Sequence, residues 1–196
     1  MTFRKILTSV FLLIAALSAS TGAVSASDSD ISIFIGAEMP GSIKHHNVRT
    51  GLDNSPVYGL RYGSDFTRQF GMEHSVAISP DYLFPSGSEA KETKGFIYNS
   101  NLRLNFPDIF LDMFPDDYPE IVPFLTVGAG ITHQYGDRDL PVGTKFTFNG
   151  GGGIKSPNLA GPIGARADFR VYRAGLFTKQ VNIFELSFGL MISLGN

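Results

Sequence analysis

Cysteine and tryptophan are both absent from the 196 residues. Without cysteine there is no disulfide, no thiolate metal site, no thiol nucleophile and no lipid-modified N-terminal cysteine. Charge is sparse too. Asp, Glu, Lys and Arg make up 17% of the chain and the formal net charge is −2, so bulk attraction to nucleic acid or to an anionic surface is excluded. Beyond the N-terminal region no stretch approaches the roughly 18 uninterrupted apolar residues of a membrane helix. What the chain does have is glycine (22) and phenylalanine (17), a composition that favours strands over solvated helices.

The N-terminus carries a signal of its own. Arg4 and Lys5 precede an apolar core from Ile6 to Leu17, broken only by Thr8 and Ser9, and a small-residue stretch ends in Val24-Ser25-Ala26. The core is too short to cross a bilayer, so residues 1–26 read as a cleaved secretory signal peptide and residues 27–196 as the mature domain. A retained helical anchor is the alternative.

Period two dominates the mature chain. Near the C-terminus Phe184, Leu186, Phe188, Leu190, Ile192 and Leu194 share one face, and Glu185, Ser187, Gly189, Met191 and Ser193 the other. Ile163, Ala165, Ala167, Phe169 and Val171 oppose Gly164, Arg166, Asp168 and Arg170. Phe96, Tyr98, Leu102 and Leu104 oppose Asn99, Asn101, Arg103 and Asn105. Weaker alternation begins at Ile31, Tyr58, Met72, Leu125 and Lys145. About eight such segments, each about ten residues long, match what a tilted strand needs to cross a membrane. The fold class expected is all-β: a closed antiparallel up-and-down transmembrane β-barrel of about eight strands. The connections over 41–55, 82–93, 134–144 and 173–181 fall at one end, and those over 67–70, 106–120 and 156–162 at the other. The 106–120 segment is long for a turn, rich in Pro and Asp, and a candidate short helix.

Alternation alone fits a soluble barrel as well, and the site of the charges decides. In a membrane barrel they face inward, because Arg or Lys on the lipid face costs roughly 2–4 kcal/mol at the midplane. The polar parity carries Arg61, Arg103, Lys145, Lys155, Arg166 and Arg170 against Glu38, Asp65, Glu73, Asp168 and Glu185. These signs nearly balance, as a closed interior requires. Arg61, Asp65, Glu73, Arg103, Arg166, Asp168, Arg170 and Glu185 are therefore expected to form an interior charge network that fills the barrel instead of lining a pore. Tyr58, Phe96, Tyr98, Phe146, Phe169 and Phe184 are candidates for interfacial girdles. His74 falls on the apolar face, three residues beyond Gly71, and is expected near an interface. Leu190→Arg is expected to impair assembly far more than Ser187→Arg.

Several stretches resemble the small outer-membrane β-barrel family that includes the OmpA-type and OmpX-type eight-stranded proteins. They are Tyr58-Gly59-Leu60-Arg61-Tyr62-Gly63 with Phe70-Gly71-Met72-Glu73, then Pro123 to Gly130, and Phe146 to Lys155 followed by Arg166 to Arg170. Ser187, Gly189, Ile192 and Leu194 match the signal that the barrel-insertion machinery reads on a last strand, although Asn196 stands where many members end in an aromatic. The resemblance implies the outer membrane of a Gram-negative-type bacterium, with outer-membrane lipid and the insertion machinery as partners. An extracellular partner would meet the outer loops.

Catalytic constellations are weak. His45 and His46 are adjacent but lack a nearby Asp, Glu or Cys to complete a metal site. Gly150 to Gly153 has no Walker lysine-serine pair, and within a strand such a run marks a bulge, a bend or a close approach. Small barrels that modify lipid A need a His and a Ser together at the outer face. Here His74 and Ser75 are adjacent and point to opposite faces, and His133 has no serine two residues away. A triad assembled from separate strands stays open. The expectation is thus a non-enzymatic barrel with no cofactor, no metal and no nucleic-acid partner, in a structural or interaction role. A lipid-modifying enzyme and a soluble exported lipocalin-like carrier are the alternatives.

Overall fold

The computed structural model describes residues 29–45, 48–82, 93–107, 109, 120–135, 143–175 and 180–194. Among the described residues ten strands follow one another: β1 (Ser29–Pro40), β2 (Ile43–His45), β3 (Val48–Thr50), β4 (Ser55–Asp65), β5 (Phe70–Pro80), β6 (Lys94–Asn105), β7 (Val122–Tyr135), β8 (Thr144–Ala160), β9 (Ile163–Ala174) and β10 (Val181–Ser193). Eight of them close a barrel in the order β1-β10-β9-β8-β7-β6-β5-β4, and β2 and β3 form a separate hairpin in the first long connection. Every barrel pair is antiparallel, and β1 pairs with β10 on one side and β4 on the other, so the barrel itself has no edge strand. Each of the eight alternating segments read from the sequence falls on one barrel strand, the last running one residue past it to Leu194.

The parity of each strand sets its faces. Side chains on the apolar parity point outward: Ile33, Leu60, Leu102, Val127, Ile154, Phe188 and Leu190 are all exposed, Val127 at 63%. The charged parity is enclosed, with Arg61, Arg103, Arg166, Asp168 and Glu185 buried and Arg170 at 0% exposure. This polarity is opposite to that of a lipocalin-like carrier, whose apolar face would point inward.

The interior has two tiers. Toward the end with the short turns it holds the charges. Toward the loop end it holds an apolar cluster of Phe34, Val57, Ala77, Ile97, Tyr172, Ala174, Val181 and Ile183 with Tyr82 among them, beside buried polar side chains that include Glu38, Gln134 and Lys145. These apolar residues lie on the polar parity, where they read in sequence as interruptions of the pattern.

The turn end is tightly made. In the β4–β5 connection Phe66 and Thr67 donate backbone N–H to the carbonyl of Phe70 (2.8 and 3.0 Å), and the Thr67 hydroxyl accepts from Phe70 N–H at 2.9 Å. The β8–β9 connection differs from the expected 156–162 loop. Strand β8 runs on to Ala160, its register shifts between Ser156 and Ala160, and the turn itself is Gly161-Pro162. Pro157 has no N–H to give to a ladder, which suits an irregularity there. Gly161 has φ +63°, a conformation that a Cβ disfavours. Residues 1–28, with the expected signal peptide, and most of 106–120, the candidate helix, lie outside the described residues.

The glycine run of β8 is a close approach rather than a bulge. Its ladder with β7 is continuous from Thr144 to Lys155. A Cβ on Gly153 would run into the Ala167 carbonyl oxygen and lie 2.8 Å from Phe124 Cζ, and one on Gly151 would run into the Phe169 carbonyl oxygen.

Candidate functional site

The candidate site is the charged tier of the interior. It is assembled from β1, β4, β5, β6, β8, β9 and β10, each contributing side chains from its inward parity. Asp168 on β9 is the hub. Arg166 donates to it from both Nε (2.9 Å) and Nη2 (2.7 Å), Arg170 from Nη2 (2.8 Å), and Arg61 reaches across the barrel from Nη1 (3.2 Å). Glu73 on β5 faces the same arginines, with Arg170 Nη2 at 2.6 Å and Arg166 Nη1 at 2.8 Å. Bidentate and doubly paired geometry of this kind suits guanidinium far better than ammonium.

Two further groups extend the network. Arg61 Nη2 donates to Glu185 at 2.6 Å and to the Ser187 hydroxyl at 2.9 Å, and the Tyr172 hydroxyl donates to the other Glu185 oxygen at 2.7 Å. Nearer the turns, Arg103 Nη2 bridges Asp30 and Asp65, both at 2.8 Å. Lys155 (3.1 Å) and the Asn105 amide (3.0 Å) also donate to Asp65. Arg103 Nη1 lies 3.9 Å from Glu73, linking this group to the hub. Two aromatic rings floor the arginines: the Arg61 guanidinium sits 3.6 Å from the Phe34 ring centroid, and that of Arg166 4.9 Å from Phe124.

All eight residues expected in an interior charge network lie in this tier, and Lys155 with them. Glu38 and Lys145 lie inward but apart from it. Glu38 is buried at the loop end facing Ser55 and Ser79, directly across from Glu185 in the β1–β10 register. Asp30 and Tyr172 belong to the network although neither was anticipated. Each continues an inward parity by one step, from Ser32 and from Arg170, and the segments as read stopped short of them. With Asp30 included, five acids (Asp30, Asp65, Glu73, Asp168, Glu185) meet five cations (Arg61, Arg103, Lys155, Arg166, Arg170). Below them a cavity of about 320 Å³ opens at the turn end, lined in part by Asp30, Asp65, Asn105 and Lys155.

Other candidates fall elsewhere. His45 lies in β2, and His46 is outside the described residues. His133 is at the loop end of β7, its Nδ1 2.8 Å from the Thr144 hydroxyl. His74 lies about midway along β5, with Phe70 and Met72 before it and Val76, Ile78 and Pro80 after it on the outward parity. Its register partner on β6 is Ser100, so a His and a Ser do meet on the outward face, but the outward parities of β4, β5 and β6 bring no carboxylate to them. Phe169, expected in a girdle, lies halfway along β9, because parity fixes a residue's face and not its depth. In the last strand Ser187 is buried, Gly189 points inward, and Ile192 and Leu194 are exposed on the outer face.

Comparison with known structures bears on the architecture. The chain is similar to Neisserial surface protein A (TM-score 0.51, 12% identity, covering 84% of this chain and 96% of that one). It is also similar to the outer membrane protein OprG from Pseudomonas aeruginosa (TM-score 0.53, 12% identity, 87% and 97%). The fold is that of the small eight-stranded outer-membrane barrels. The outer membrane enzyme PagL also matches, at TM-score 0.48 and 16% identity, over 83% of this chain and 98% of that one. No protein-family model matches the chain, and no curated protein matches it in sequence.

Proposed function

We propose that this chain is an integral outer-membrane barrel of a Gram-negative-type bacterium, non-enzymatic, with a structural or interaction role. The observation that carries this is the inverted polarity: apolar side chains around the outside, a balanced ion-pair tier within. Such an exterior would be an aggregation hazard in water, and in hydrocarbon it is the required surface. Outer-membrane lipid is then the first partner. The insertion machinery is the second, reading the last strand through Ser187, Gly189, Ile192 and Leu194.

The interior acts as a plug. Counting Lys145 and Glu38, six arginines and lysines against six carboxylates leave no single sign to select an ion, and an apolar cluster packs above the charged tier. An eight-stranded barrel is only wide enough for its side chains. Contact with other molecules therefore belongs to the long connections at the loop end, where an extracellular partner would bind. Insertion of the purified, folded protein into planar bilayers tests the plug. The expected record has no large, stable conductance, and a steady ohmic channel would overturn the proposal.

A further inference from the structure

Outward polar side chains stand mostly at strand ends: Lys94, Arg173 and Asn182 near the loops, Ser64 near the turns. One patch breaks this rule. Along the outer face of β5 the order is Phe70, Met72, His74, Val76, Ile78, Pro80, and along β6 it is Lys94, Phe96, Tyr98, Ser100, Leu102, Leu104. His74 is the third of six and Ser100 the fourth of six, both away from the strand ends; the register pairs them, and Tyr62 of β4 pairs with His74 on its other side. His74 Nδ1 is 3.2 Å from the Tyr98 hydroxyl, and the two rings stack with centroids 6.4 Å apart. Among the described residues His74 Nε2 and the Ser100 and Tyr62 hydroxyls have no hydrogen-bond partner.

We propose that this patch is a contact between two copies of the chain within the membrane, an inference that rests on the membrane reading above. Hydrocarbon supplies no hydrogen bonds, and a polar or ionisable side chain at mid-depth is costly unless a partner receives it. Lipid headgroups and soluble partners do not reach that depth. A second copy related by a two-fold axis along the membrane normal presents the same groups at the same depth. Imidazole, serine hydroxyl and phenol each both donate and accept, so the patch is self-complementary, as an isologous contact demands.

The cysteine-free sequence makes the test specific. Ser100→Cys in the full chain, assembled in membranes and mildly oxidised, should give a reducible band of twice the monomer mass. Ala167→Cys, outward on β9 at the opposite wall, should stay monomeric. Adding His74→Val to Ser100→Cys should cut the cross-linked fraction severalfold. Equal cross-linking of the two cysteine variants, or none from Ser100→Cys while its band still shifts on boiling, overturns the contact. Should Ser100→Cys lose that heat shift, Leu102→Cys, the next outward position on β6, gives the same readout in its place. If the unsubstituted chain is itself soluble and shows no heat shift, the membrane reading fails and the contact with it, a result distinct from a folded membrane monomer.

Discussion

Glu73 sits between Arg166 and Arg170 with no exposed surface, and each of its oxygens faces a different guanidinium. Glu73→Gln would leave those cations short of counter-charge in an enclosed space, and removing one partner of a buried pair typically costs about 3–5 kcal/mol. Denaturant unfolding of the refolded protein in vesicles should show a loss of that order. The outward face gives the converse case. Leu190 is exposed on β10, while Asn182 shares its face at the loop end of the same strand. Leu190→Arg should destabilise by roughly 2–4 kcal/mol and Asn182→Arg by far less, read in the same unfolding assay. Ser187, which sequence alone offers as the tolerant control, is unsuitable. It is fully buried and its hydroxyl bonds Arg61 and Glu185, so an arginine there would overfill the network and repel Arg61. Alternation reports which face a residue occupies. It does not report how crowded that face is, nor how deep the residue lies, as His74 and Phe169 both illustrate.

Strands were the most legible scale. Each alternating segment is a barrel strand, because a period of two is imposed by the pleat and by the contrast between the two sides of the wall. Ends were less legible: β1 begins at Ser29, ahead of Ile31, and β9 continues past Val171 through Tyr172 to Ala174. Those margins hold Asp30 and Tyr172, so the network was read without two of its members. The glycines of β8 could be assigned to a close approach only once β9 and Phe124 were in place, since the clash is with a neighbouring strand. Gly153→Val should therefore oppose barrel closure by about 1–3 kcal/mol, seen as a reduced folded fraction on refolding. Gly143→Val, where an added Cβ meets nothing within 4 Å, should refold like the parent.

At the scale of the whole molecule the barrel is a wall with two different fillings, an ion-pair network toward the turns and an apolar cluster, with a few buried polar groups beside it, toward the loops. The charged filling was foreshadowed by the near-balance of signs on one parity. The apolar filling was not, because Phe34, Val57, Ile97 and Ile183 interrupt the polar pattern that revealed the strands. What meets the loops lay beyond the reach of alternation, which describes walls and not connections. The central claim is that the wall is closed and faces lipid. Heat-modifiability tests it most directly, by comparing boiled with unboiled protein on a detergent gel after membrane fractionation. A compact band that shifts on boiling, recovered with the outer membrane, is the predicted result. A chain that stays in the soluble fraction and migrates identically before and after boiling would contradict it.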